Sequence, residues 1–379
     1  MDLQFTAAEH AFRADVAAWA VANVPGEQQP FEVDQRRRAF DTSWQRRQFD
    51  DGWAGISWPI EYGGRGASLI EQMIFHEEMA AAGAPDIGAC FVGVNHAGPT
   101  LMAKGTSEHK ERHLPAILSG EHVWCQGFSE PGAGSDLASL RTAARIDGDR
   151  LIVNGQKIWT SYAHVADFCE LLVRTDPDVS KHRGITWAIL DMRSPGVEVR
   201  PIRTMVGHHH FCELFLTNVE IPLTSVVGGL HDGWRTAMTT LGFERGTAFL
   251  ARQVRLRAEI AELVELCRAN GSYANDGVRT ELTSLCARAD ALRAMCYRVV
   301  SRAVHTGASP GAEGSIIRLY YSLLLNAATS LAMRVLGEDV VLVNRWTREY
   351  LDAMREKIGA GTLDIQRNII GERLLGLPR

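Results

Sequence analysis

Two stretches carry residue types that do chemistry. In LGFERGTAFLAR, residues 241–252, Glu244 shares the i, i+4, i+7, i+11 spacing of Ala237, Leu241 and Ala248, one buried stripe of a helix. A carboxylate on such a stripe loses its water, and its pKa climbs from about 4.3 toward neutrality. Gly242 and Gly246 flank it and remove side-chain bulk. Perturbed acids cluster at functional sites, so one reading is a general base lining a pocket. The other is an ion pair buried with Arg245 or another arginine. The second stretch, QGFSEPGAGSDLASL at 126–140, sets Gly132 and Gly134 among the hydroxyls of Ser129 and Ser135 and beside Asp136. Consecutive amides in such a loop form a concavity for anionic oxygens. Leu137 stands where a dinucleotide fingerprint needs its third glycine, and the loop enters antiparallel strands, so a Rossmann site is excluded. Composition leaves a cofactor loop and an ordinary turn both open.

The elements that must position these residues change character twice. Up to about Gly120 the chain reads as helical, as in IEQMIFHEEMAAAG, with turn signals at EYGGRG and GAPD. Near the start, Phe12, Val16 and Trp19 share one helix face. From about Val123 to Val227 the pattern is that of strands. TAARIDGDRLIVNGQKIWT places Asp-Gly and Asn-Gly turn signals between alternating apolar residues. After Gly228 helices return: Ile260, Leu263, Val264 and Cys267 share a face, and long runs follow at 279–305 and 312–336. The boundaries read as a helical domain at 1–122, a β domain at 123–228 and a helical bundle at 229–379.

Composition narrows the class. A chain of 379 residues exceeds what one core usually supports. It carries 40 basic and 45 acidic residues, interspersed, for a net charge of -5, so nucleic acid is not the expected partner. No signal peptide or membrane span is read at MDLQFTAAEHAFRADVAAW. The 7 cysteines are scattered without a CxxC, which fits buried thiols in a reducing, cytoplasmic compartment, not disulfides or zinc. His208, His209 and His210 lack a ligand at helical spacing and are read as a turn between strands; no metal is expected.

Six blocks then resemble the acyl-CoA dehydrogenase family: GWAGISWPIEYGG (52–64), HEEMAAAG (76–83), GFSEPGAGSD (127–136), NGQKIWTSYAHVADF (154–168), GW…LGFERG (233–246) and GTLDIQRNIIGERLLGLPR (361–379). The resemblance spans essentially the whole chain. It implies an α+β fold with an N-terminal helical domain, a middle antiparallel β-barrel domain and a C-terminal four-helix bundle, with FAD where they meet. It implies flavin contacts from Phe128, Ser129, Gly134 and Ser135, and from Trp159, Thr160 and Ser161. Taken alone, Trp159 reads as a barrel-core aromatic. Thr362 and Asp364 match positions near the cofactor, Thr362 also as a helix N-cap. Ser135, Phe243, Arg245 and Gly361 match positions near the acyl-CoA.

The implied reaction is α,β-desaturation of a thioester: a carboxylate removes the α-proton, donors stabilise the enolate oxygen, and flavin takes a hydride. Many members place the base just before the Gly-Thr pair of the last helix, where this chain has Ala360. Proteins resembling isovaleryl-CoA dehydrogenase also read IGAGT there and carry the base before an arginine on an earlier helix. That position is Glu244. Ala360 keeps its backbone N–H as the oxyanion donor.

The chain departs from the family where members lend FAD contacts to a neighbouring subunit. The stretch from Arg268 reads RANGSYANDG without a phenylalanine, and the Gly-Gly-x-Gly turn reads LGEDVVL, keeping Gly337 alone. This resembles heteromeric members from steroid side-chain degradation, so the expected partners are acyl-CoA, an electron-transferring flavoprotein and a paralogous subunit. A homo-oligomer with substitute residues is the alternative. A flavin monooxygenase of the same fold and a non-catalytic subunit also stand as readings.

Overall fold

The structure is a computed structural model that describes residues 5–243, 248–306 and 311–378. It folds into two compact units: one comprises residues 25–67 and 85–244, the other 1–24, 68–84 and 245–379.

The first unit is built on an eight-stranded sheet: β1 (Trp124–Gly127), β2 (Ala143–Asp147), β3 (Arg150–Ser161), β4 (Phe168–Arg174), β5 (Ile185–Asp191), β6 (Val197–Ile202), β7 (Phe211–Pro222) and β8 (Val226–Val227). The order is β6-β7-β3-β2-β4-β5-β8, with β1 beside β4. The pairings are antiparallel except that β1 and β2 each meet β4 in parallel, so the sheet is mixed, not wholly antiparallel as expected. β1 enters from a helical segment and β4 follows a long excursion, which frees them from hairpin geometry. Of the two turn signals in this region, Asp147-Gly148 does close the β2–β3 hairpin. Asn154-Gly155 does not turn: it lies within β3 at a register shift against β7, and a side chain at 155 would collide with Thr142. Close approach, not a reverse turn, is what that glycine serves. The triple histidine sits in the connection between β6 and β7, as read from the sequence. No metal-binding cluster occurs among the described residues.

Helices α2 (Gln35–Asp50), α4 (Gly98–Lys104), α5 (Ser107–Leu118) and α6 (Gly233–Phe243) belong to the same unit. Asp34 caps α2 and Thr106 caps α5, satisfying amides that a helix start leaves open. The larger apolar clusters of the unit lie around Trp58, Trp124 and Trp187 and, between the strands, around Leu151, Leu171 and Leu214, with a smaller one around Val33, Val123 and Tyr162.

In the second unit, α1 (Ala7–Asn23) and α3 (Leu69–Ala81) join the C-terminal helices α7 (Ala248–Ala269), α8 (Asp276–Thr306), α9 (Glu313–Val335), α10 (Arg345–Ala353) and α11 (Leu363–Arg373). The expected face of α7 is buried, with Ile260, Leu263 and Cys267 at 1% exposure or less. Of the cysteines only Cys286 is exposed, and all are free thiols. Helix α9 is long and apolar enough to cross a membrane, but half of its most apolar window is buried in the protein.

Candidate active site

The loop after β1 and the end of β3 are fastened together by one buried ion pair. Lys157, fully buried, donates from Nζ to Glu130 Oε1 at 2.8 Å and to the Phe128 carbonyl at 3.2 Å. Glu130 also accepts the backbone amides of Arg141 at 2.6 Å and Thr142 at 2.8 Å. Burial pushes its carboxyl up, but Lys157 and these donors outweigh that and hold it below its ordinary range. Burial draws the Lys157 ammonium below its ordinary value, with Glu130 opposing. Beside the pair, the Ile158 amide donates to the Ser129 carbonyl at 3.0 Å. Residues 128–130 and 157–158 therefore form one rigid seam.

From that seam β3 bulges. Its register against β7 shifts between Lys157 and Thr160, and Trp159 takes a φ of 62°. A bulky residue in the left-handed region is strained, and bulges of this kind re-aim side chains at functional sites. Trp159 is 57% exposed, touching Phe211 edge-on, so it is not the barrel-core aromatic that its residue type suggests alone. Thr160 turns the other way: it is fully buried, and its Oγ1 has no hydrogen-bond partner. Buried hydroxyls are normally satisfied, and this one is an exception closed off inside the protein. Among the described residues, neither the Ser129 nor the Ser161 hydroxyl is hydrogen-bonded.

In the loop, Gly134 and Ser135 are exposed, while the Phe128 ring is buried in the core, leaving its main chain to make any contact outward. A Cβ at Gly132 or Gly134 would meet nothing within 4 Å, and neither glycine has a left-handed φ. Neither backbone conformation nor internal packing calls for glycine at these positions. What they provide is bare amide beside open space. That provision and the unpaired Ser129 and Ser161 hydroxyls suit the anionic and hydrogen-bonding edges of a flavin cofactor.

In the second unit, Ala360 and Gly361 form an exposed to half-buried turn with φ of 52° and 85°. Thr362 caps α11, its Oγ1 accepting the Ile365 amide at 3.2 Å. Asp364 is exposed and paired with Arg367 at 2.7 Å. Behind the turn, Glu356 accepts from Arg318 at 2.6 Å and from Arg252 at 3.1 Å. Burial raises its carboxyl, but Arg252, Arg355 and Arg318 prevail and hold it below its ordinary range. Glu244, with Arg245, lies outside the described residues, and so does the side chain of Phe243 at the end of α6.

Several of these supports were not picked out in the sequence. Lys157 stands in phase with the inward Leu151 and Val153, the same signal that singles out Glu244. On α9, Ser315, Arg318, Ser322, Asn326 and Thr329 recur at helical spacing and are all buried, a polar stripe in an otherwise apolar helix. A perturbed acid also sits on α7, where burial and Glu349 push Glu259 up to about 7.

Comparison with known proteins covers the chain. Residues 6–121, 125–219 and 231–375 match the N-terminal, middle and C-terminal domains of acyl-CoA dehydrogenase. The chain is 38% identical over 383 residues to acyl-CoA dehydrogenase IpdE1 of Mycobacterium tuberculosis (strain ATCC 25618 / H37Rv), covering 97% of each. Among solved structures it resembles the Tcur3481-Tcur3483 steroid ACAD, with a TM-score of 0.86, 32% identity and 100% of both chains covered. It also resembles the ChsE4-ChsE5 complex of Mycobacterium tuberculosis, with a TM-score of 0.82 and 32% identity over 100% of both chains. The chain thus belongs to the acyl-CoA dehydrogenase family, oxidoreductases whose cofactor is FAD.

Proposed function

We propose that this chain desaturates the CoA thioester of a steroid-derived acid, with Glu244 as the base. The observation that carries the reading is the seam of Lys157 and Glu130, which ties the loop of bare glycine amides to the bulge that holds a strained, exposed Trp159. FAD, when bound, supplies the acceptor for the β-hydride. Phe128, Ser129, Gly134, Ser135, Trp159, Thr160, Ser161, Thr362 and Asp364 are the residues we assign to holding it. Glu244 takes the α-proton, and the Ala360 N–H donates to the thioester oxygen as negative charge gathers there. Phe243, Arg245 and Gly361 line the acyl-CoA. The steroid class is supported by the likeness to a steroid ACAD at 32% identity over the whole chain.

The working form is a heteromer with a paralogous subunit, in the cytoplasm, passing electrons to an electron-transferring flavoprotein. Two features support the partner. Arg268, which would reach a neighbour's diphosphate, is engaged by Glu265 at 2.6 Å. Where the glycine-rich turn would lie, Val341, Leu342 and Val343 are 82%, 59% and 77% exposed, a run of aliphatics suited to burial against another chain.

The test is the visible spectrum of the chain purified alone and with a co-expressed paralogue, followed by anaerobic mixing with 3-oxochol-4-en-24-oyl-CoA. Flavin present in the pair and bleached by the thioester is the expected result. One FAD per chain without a partner would refute the heteromer, and flavin that no steroid thioester bleaches would refute the reaction. Glu244→Gln should retain flavin and slow bleaching by about 10³-fold, the scale of a lost general base.

A further inference from the structure

We infer that Arg318 is a positioning residue for the oxyanion donor at Ala360, an inference that rests on the function proposed above. A peptide group is planar, and no cis bond occurs among the described residues. The Gly359 carbonyl and the Ala360 N–H belong to one such plane and point in opposite directions. Whatever holds the carbonyl therefore aims the N–H.

Arg318 holds it. Its Nη2 donates to Gly359 O at 2.7 Å, while Nη1 donates to Glu356 Oε2 at 2.6 Å and to Ser322 Oγ at 2.8 Å. Ser322 Oγ in turn donates to the Glu356 carbonyl at 2.9 Å. The guanidinium is a rigid fork, so bonds from both its terminal nitrogens fix its orientation as well as its position. Arg318 is only 5% exposed, and water does not compete for these bonds. The next peptide is held separately, by Gln366 Nε2 donating to Ala360 O at 3.0 Å. Between these two grips Ala360 adopts its left-handed φ of 52°, which an alanine does not choose unaided. The Ala360 N–H itself has no acceptor among the described residues, and Ala360 is exposed.

The clamp also acts through charge. Arg318 and Arg252 both contact the Glu356 carboxylate, and Arg355, itself paired with Asp352 at 2.7 Å, lies 3.6 Å from it, so the guanidinium of Arg318 is the cation that meets the turn's carbonyl. A cation on the carbonyl end of a peptide draws electron density from it and strengthens the N–H as a donor. Orientation and polarisation thus favour the same event, charge arriving on a thioester oxygen.

The experiment compares Arg318→Met and Ser322→Ala with wild type as FAD-loaded enzyme, in complex with the paralogue if that is the purified form. The readout is the infrared carbonyl band of bound 13C-carbonyl-labelled 2-enoyl thioester made from the steroid-acid CoA above, alongside the rate of flavin reduction and the apparent Kd. In Arg318→Met the band should return toward its frequency in water. Reduction should slow by roughly 30- to 100-fold, near the range seen on losing an oxyanion-hole donor, with Kd within about threefold. Ser322→Ala, which leaves the Gly359 contact in place, should keep the wild-type band. A band in Arg318→Met identical to wild type would overturn the inference. If that variant does not fold, Arg318→Lys takes its place: one ammonium cannot serve both Gly359 and Glu356, and an unshifted band there overturns the inference equally. A wild-type enzyme that binds the thioester without polarising its carbonyl would overturn it while leaving the family reaction intact. Failure of wild type to bleach at all would remove the underlying function and the inference together.

Discussion

The Phe128–Ser129 loop and the Gly359–Ala360 turn are both tied down by a buried cation gripping a main-chain carbonyl and a carboxylate, but the ties differ. Lys157 and Glu130 are matched one to one, and Glu130 is further satisfied by two backbone amides. Their segment is already part of a sheet, so the pair only has to set how β3 leaves its ladder. The turn at Ala360 has no ladder. It relies on a forked guanidinium and on a carboxylate outnumbered by arginines. A single point charge suffices where hydrogen-bonded strands supply the frame, and a bidentate group is used where they do not.

That contrast can be broken. Lys157→Met leaves Glu130 buried without its cation, and removing one partner of such a pair should cost about 3 kcal/mol or more in denaturant unfolding, with loss of bound flavin. A cost under about 1 kcal/mol would mean that strand pairing alone holds the loop. Glu356→Gln should cost less, about 2 kcal/mol, because an amide oxygen still accepts from Arg318 while Arg318 and Arg252 lose a counter-charge and Arg355 keeps Asp352. Its pH dependence sharpens the point. The Glu356 carboxyl is held below its ordinary 4.5, so its contribution is present above that pH and fades as the pH falls through the depressed value. The stability gap between wild type and Glu356→Gln should therefore close on acidification below about 4.5 and stay flat above it; a gap independent of pH would remove the carboxylate from the account. The smallest effect is expected at Ala360→Gly. Release of the left-handed strain should leave stability level or up to about 1 kcal/mol higher, where the same exchange in a helix loses about that much.

Much of the fold was legible because periodicity is local: the α7 face, the long helices and the Asp-Gly hairpin all follow from neighbouring residues. The bulges were not, since Asn154-Gly155 carries the residue types of a turn but is used for close approach to Thr142. Motif blocks pointed to the two loops that we assign to flavin. Their supports were hidden because Glu130 and Lys157 are 27 residues apart and Arg318 and Glu356 are 38 apart. Periodicity can show that a charge faces inward, as at Lys157, but not which distant charge answers it.

The polar stripe of α9 has a consequence for biogenesis as well. By length and hydropathy alone, residues 313–335 could be mistaken for a membrane-spanning segment as they are synthesised. An arginine within a span disfavours insertion by about 3 kcal/mol at the bilayer centre, and Ser322 and Asn326 add to that reluctance. The polar side chains that tie α9 to Ala353, Glu356 and Gly359 thus also mark this helix for the interior of a protein instead of a lipid bilayer.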